Sequence, residues 1–198
     1  MERGRDFFEA RAAAWDEKRN TDKARLEFLV EMAGLPAGGR ILDVGSGTGV
    51  LLPYLLAAAG GSGEVTALDY SPAMLRVARG KFSSPRLSFI CDDVLTAPLP
   101  SGLDLVVSLN FFPHLTTLAD KQAYLVKVRE ALRPGGKIVI MHDVSREFVN
   151  GVHSHAPETF NDRLPSARDT GILLVRAGFS EVFGVEDDFI YFAKGEKI

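Results

Sequence analysis

Cysteine is nearly missing from this chain: Cys91 stands alone, which excludes an internal disulfide and a thiolate cluster for metal or arsenic chemistry. Basic residues are not in excess. The net charge is −3, and in the stretch from Arg11 to Arg25 the basic residues are interrupted by Asp16, Glu17 and Asp22. No phosphate-binding stripe results, so a nucleic-acid substrate is disfavoured. Long apolar runs are lacking too, and the charged start Met1-Glu-Arg-Gly-Arg-Asp has no apolar signal core; the expectation is a cytoplasmic protein with no membrane segment. What the chain does have is 198 residues at 46 % apolar and 25 % charged, enough for one well-packed α/β domain and short of two.

The chain is organised around Ile41-Leu-Asp-Val-Gly-Ser-Gly-Thr-Gly49. A few apolar residues, too short for a helix, run through Asp43 into glycines at 45, 47 and 49, which reads as a buried parallel strand breaking into a tight loop. A helix follows, with Leu51, Leu52, Leu55, Leu56 and Ala59 at helical spacing until Gly60-Gly61. The three glycines, with Ser46 between them, let a cofactor lie against bare main chain at the helix N-terminus. The spacing G-x-G-x-G departs from the dinucleotide form G-x-G-x-x-G. Asp43 ahead of it would repel phosphate and attract a cation, which favours a zwitterionic ligand carrying an ammonium.

Further acids arrive at strand ends. Glu64 to Asp69 is a short apolar strand ending in a carboxylate, and Ser71-Pro72 starts the next helix. In a doubly wound sheet Asp69 shares the crevice with the glycine loop and is suited to accept both hydroxyls of a ribose; simple capping by Ser71 is the alternative. Tyr70 and Met74 sit where an adenine would pack, though Met74 equally suits the core. Arg86 to Cys91 delivers Asp92-Asp93-Val94, and Leu103 to Leu109 delivers Asn110 and, beyond it, His114. A helix over 117–132, a turn at Pro134-Gly135-Gly136 and a strand from Lys137 to Met141 follow. His142-Asp143 then opens a polar segment, 144–166, without strong periodicity, containing His153, His155, Asn161, Asp162 and Arg163. Its position beside the crevice makes it the candidate acceptor-facing wall. Ser166-x-x-Asp169 caps a last helix that Gly178 closes. Strands at Glu181–Glu186 and Phe189–Ala193, joined by Asp187-Asp188, form an antiparallel hairpin.

The stretch ahead of the first strand, residues 1–33, reads as two helices separated at Asn20-Thr21-Asp22, the second ending at Gly34 and Pro36. Phe7, Phe8, Ala12 and Trp15 give the first helix an aromatic face, which is either plain packing or a lid over the site.

The acidic residue before G-x-G-x-G, and above all Leu132 to Ile140 (LRPGGKIVI), make residues 34–194 resemble the class I S-adenosylmethionine-dependent methyltransferases of small molecules. The resemblance implies an α/β fold: a Rossmann-like doubly wound seven-stranded sheet, six parallel strands plus one antiparallel, with helices on both faces. It implies S-adenosylmethionine as cofactor and S-adenosylhomocysteine as product. Asp43 with the carbonyls near Gly45 and Asn110 would hold the methionine ammonium. Gly47 and Gly49 would accommodate the rest of the methionyl part, and one of Asp92 and Asp93 would take the adenine amine, with the Asp93 and Val94 amides near the ring. The partner is a small-molecule acceptor, with a protein acceptor and homodimerisation left open.

Methyl transfer from a sulfonium needs alignment and exclusion of water, and a general base only when the acceptor is an unactivated hydroxyl or amine. His114, His142 and His153 are the candidates for that base. His142, His153 and His155 with Asp143 would also suit a metal, but their spacing fits no tight signature, and no metal is expected. A nicotinamide oxidoreductase and a non-catalytic cofactor-binding protein are the rival readings.

Overall fold

The computed structural model describes residues 2–18, 22–155 and 162–198, with side chains from residue 5 onward. The expected break at Asn20-Thr21 and the wall residue Asn161 lie outside the described residues. The chain opens with α1 (Glu2–Arg11), a turn of 3-10 helix at Ala12–Ala14, α2 (Trp15–Lys18) and α3 (Lys23–Ala33). Asp22 caps α3 by accepting from the Arg25 amide, and Gly34 ends it in the left-handed conformation, φ 61°.

Five strands with crossover helices follow: β1 (Arg40–Val44), α4 (Leu52–Ala59), β2 (Glu64–Asp69), α5 (Pro72–Lys81), β3 (Leu87–Cys91), β4 (Leu103–Leu109), α6 (Leu118–Ala131) and β5 (Leu132–His142). The chain ends with α7 (Arg146–His155), α8 (Ala167–Arg176), β6 (Phe179–Glu186) and β7 (Tyr191–Lys197). The seven strands form one sheet in the order β3-β2-β1-β4-β5-β7-β6. Only β7 runs against its neighbours, pairing antiparallel with both β5 and β6, as expected from the resemblance.

Both faces are covered, and the strand sequences show why. Along β5, Ile138 and Ile140 enter the core under α6 and α8, whereas Val139 and Met141 enter the core under α3 and α4. In β1, Leu42 and Val44 belong to the first and Ile41 to the second. Side chains alternate across a sheet, so a strand buried on both sides needs apolar residues at every position; the even and odd residues feed separate cores.

The structure departs from the sequence expectation at several points, and β6 starts at Phe179, two residues earlier than expected. Pro134-Gly135-Gly136 is no free turn but an irregularity within β5, where Leu103 pairs with Leu132 and Leu105 already with Lys137. The last strand begins at Tyr191, leaving Phe189 in the preceding turn and 61 % exposed. The polar segment after β5 contains α7, a helix that the sequence pattern did not declare. Among the described residues no helix is long and apolar enough to cross a membrane.

Candidate active site

A cavity opens at the carboxyl ends of β1, β2 and β4, between the glycine loop and the N-terminal helices. Strand order reverses beside β1, since β2 lies on one side and β4 on the other, and the loops leaving these strands part company there.

The glycine loop is pinned to β2. Gly45 and Ser46 both donate their amides to the Leu68 carbonyl, at 2.8 and 3.0 Å, and the Gly47 amide donates to Asp69 Oδ2 at 2.8 Å. The Ser71 amide donates to Asp69 Oδ1 at 2.9 Å. Asp69 therefore does two jobs at once, bordering the cavity and holding the loop and the start of α5. Burial raises its pKa above the ordinary carboxylate value, and the Ser71 and Gly47 amides oppose that only in part.

The three glycines divide by role. Gly47 has φ 53°, lines the cavity and has no neighbouring side chain where a Cβ would stand, as a close-approach position requires. At Gly45 a Cβ would meet the Phe111 ring at 2.5 Å, and at Gly49 it would meet Leu52 and Phe82 at 2.8 and 2.9 Å. Gly49 does not line the cavity. Gly45 lines the cavity and is also needed for packing against Phe111, whereas Gly49 serves packing alone, which corrects the expectation that all three bare positions face a ligand.

Asp43, Ser46, Tyr70, Met74, Asp92, Asp93, Val94 and Asn110 all border the cavity, as the sequence reading expected. The details differ at Asp92-Asp93: the Asp93 amide donates to Asp92 Oδ1 at 2.7 Å, and Asp93 Oδ1 accepts from the Leu95 amide at 2.9 Å. The Asp93 amide is thus engaged within its own turn. Asn110 adopts a left-handed φ of 56°, uncommon outside glycine. Its amide donates to the Met141 carbonyl, and its Nδ2 donates to Asp143 Oδ1 at 2.6 Å. Asp143 in turn accepts at its carbonyl from Arg25 of α3, which ties three elements together behind Asn110.

The histidines part company. His114 ends a helical turn (Phe112–His114) after β4, lines the cavity and shares a 2.5 Å contact between Nδ1 and Asp162 Oδ2. His153 lies in the last turn of α7 with its ring centroid 5.3 Å from that of His114, and burial lowers its pKa, helped by the charge on His114. His142 is 1 % exposed, packs edge-on against Tyr191 and does not line the cavity, so it is withdrawn from the acceptor side. His155 is exposed, its Nδ1 2.7 Å from the Gly151 carbonyl in its own helix. The supposed grouping of His142, His153 and His155 with Asp143 is replaced by one of His114, His153 and Asp162.

The N-terminal elements close the cavity's outer side. Phe8 and Trp15 line it, and Phe8 also contacts the rings of Tyr70 and His114. Two acids fasten this segment down. Glu9 Oε1 accepts from Ser71 Oγ at 2.9 Å, and Asp16 accepts from Thr48 Oγ1 at 2.6 Å and from Lys81 Nζ at 2.8 Å. Thr48 and Phe111 border the cavity and Glu9 holds α1 to the start of α5, three placements that the sequence reading did not single out. A sequence signal existed only for Thr48, which sits inside the glycine loop.

Taken together, the lining among the described residues holds Asp43, Asp69, Asp92, Asp93 and Asp162 and neither lysine nor arginine. Such a wall attracts a cation and repels phosphate.

Comparison with known proteins agrees with this geometry. A family model described as a methyltransferase domain matches residues 41–136. A ubiquinone/menaquinone biosynthesis C-methyltransferase of Burkholderia mallei is 32 % identical over 117 residues, 58 % of this chain and 47 % of that protein. The chain thus spans about half the length of the curated relatives it matches. Among solved structures, a SAM dependent methyltransferase from Aquifex aeolicus superposes with a TM-score of 0.70 at 23 % identity, covering 90 % of this chain and 95 % of the other. Human N-acetylserotonin methyltransferase in complex with SAM gives 0.69 at 18 % identity, covering 99 % of this chain and 56 % of the other.

Proposed function

We propose that this chain, whose residues 41–136 match a family model described as a methyltransferase domain, is a class I S-adenosylmethionine-dependent methyltransferase that transfers a methyl group to a small-molecule acceptor. The observation that carries the reading is a lining that, among the described residues, has five aspartates and no lysine or arginine, set around a glycine loop at the carboxyl ends of parallel strands. S-adenosylmethionine bears a sulfonium and an ammonium against one carboxylate, a net cation. A nicotinamide dinucleotide would bring its pyrophosphate into a field of the same sign.

In this reading Asp43 and the backbone near Gly45 and Asn110 take the ammonium, Asp69 the ribose hydroxyls, and Asp92 the adenine amine, with Tyr70 and Met74 against the ring. The acceptor enters beside His114. Its lone pair attacks the methyl carbon as the carbon–sulfur bond breaks and the electron pair returns to sulfur. The protein's part is to hold the two in line and to keep water out, the second task falling to Phe8 and Trp15 as a lid formed by residues 1–33. Where the acceptor is a hydroxyl or an amine, His114 held by Asp162 is the group placed to receive its proton. The reading includes a cytoplasmic setting.

Calorimetric titration of the purified chain with S-adenosylmethionine and, separately, with NADH tests the cofactor. Binding of the first and not the second is expected, and the reverse ends the proposal. Incubation with methyl-labelled donor and a fractionated metabolite extract tests the acceptor: label in a low-molecular-weight fraction is expected, and label only in protein would replace the acceptor class.

A further inference from the structure

Two imidazoles and a carboxylate meet on the acceptor side of the cavity, brought there by separate parts of the chain. His114 comes from the turn after β4, His153 from α7 and Asp162 from the stretch leading to α8. One donor atom from each lies within 4.8 Å of the other two. His114 and Asp162 border the cavity, and the Asp162 side chain is 8 % exposed. Two histidines around one buried carboxylate supply neutral nitrogen and anionic oxygen donors, the set that divalent first-row ions take in preference to Mg²⁺ or Ca²⁺. The histidine–carboxylate contact alone accounts for His114. The second imidazole comes from α7, where the His153 Nδ1 lies 3.3 Å from the main-chain carbonyl of Asp162, a contact that holds the ring beside the same residue.

We propose that His114, His153 and Asp162 bind a divalent first-row transition-metal ion of the Zn²⁺ type at the acceptor end of the cavity. Three protein donors leave a coordination position for an outside oxygen. On the methyltransferase reading, on which this use of the ion rests, that oxygen belongs to the acceptor, which the ion would orient and make more acidic, so that with the ion bound His114 serves as a ligand in place of its role as proton acceptor. Ion binding itself requires only the three donors.

Equilibrium dialysis of the full chain against Zn²⁺, with Co²⁺ substitution read by visible absorption, tests the site. The expected result is one ion per chain with a dissociation constant below about 100 µM and Co²⁺ bands typical of imidazole coordination. His153→Ala and Asp162→Asn should each weaken Zn²⁺ binding about tenfold or more, with circular dichroism confirming that the variants fold. His155→Ala, on the same helix, should bind as the parent does. Weaker binding by the parent chain, or binding that survives both donor substitutions, or equal loss in His155→Ala, would overturn the site. S-adenosylmethionine titration of the same samples separates the two failures, because a chain that binds donor but no Zn²⁺ refutes only the ion.

Discussion

Asp69 shows how one side chain can carry structure at the edge of a cavity. Its two oxygens hold the Gly47 and Ser71 amides, so removing them leaves the loop and the α5 start without acceptors, in addition to emptying the position proposed for the ribose. Asp69→Ala should weaken S-adenosylmethionine binding by about 1–3 kcal/mol, the range for hydrogen bonds to a charged group; calorimetry on the folded variant checks it, and parent-like affinity would remove Asp69 from the site. Asp162→Asn should act on the other substrate. It deprives His114 of its carboxylate partner and should lower turnover about 100-fold or more with donor affinity unchanged, as single-turnover kinetics beside a donor titration would reveal. Asp69 was legible in the sequence because an acid directly ending an apolar strand has its position fixed by the strand. The pairing of His114 with Asp162 was not, since 48 residues separate them and no local period links the two.

Among the elements, the N-terminal helices were readable as amphipathic, yet their two readings, packing or lid, could not be told apart by spacing. The contacts of Glu9 and Asp16 with Ser71, Thr48 and Lys81 fasten them over the glycine loop and α5. Glu9→Ala should loosen this cover by about 1–2 kcal/mol and speed donor dissociation, measurable by stopped-flow with the parent as reference; an unchanged rate would return these helices to plain packing. The reverse error occurred at α7. Phe148, Val149 and Val152 are spaced for one helical face, but only Val149 is buried while the other two are exposed, and three apolar residues in a polar stretch were too few to declare a helix. Helix α6 carries a different constraint. Lys121 is buried, lies over the Phe112 ring and donates to the Leu115 carbonyl, anchoring the loop that bears His114. Burial lowers its pKa from 10.5 to about 8. The unfolded chain therefore holds that proton more tightly, and the stability this costs at neutral pH returns as pH rises from 8 to 10.5. Across that window the parent should gain about 2 kcal/mol relative to Lys121→Met in urea unfolding, and parallel pH curves would refute the assignment.

At the scale of the whole molecule, donor binding and folding are linked, because the cavity is assembled from strand ends, α5 and the N-terminal helices and does not exist in the unfolded chain. Saturation at about 100 times the dissociation constant should add about 2.7 kcal/mol, raising the melting temperature by about 5–10 °C in a chain of this size; NADH should leave it unmoved, and a donor that binds without any shift would contradict the linkage. The sequence by itself determined the alternation of strands and helices, the glycine loop, the acids in the last two residues of β1 and at the end of β2, and the closing antiparallel hairpin. Each of these is written within a few consecutive residues, where side-chain period and backbone preference act. Tertiary structure alone decided that β4 lies beside β1, that His142 is buried against Tyr191 and that His153 joins His114 and Asp162. Those outcomes depend on which faces two cores bury together, a condition set between distant segments and carried by no single stretch of chain.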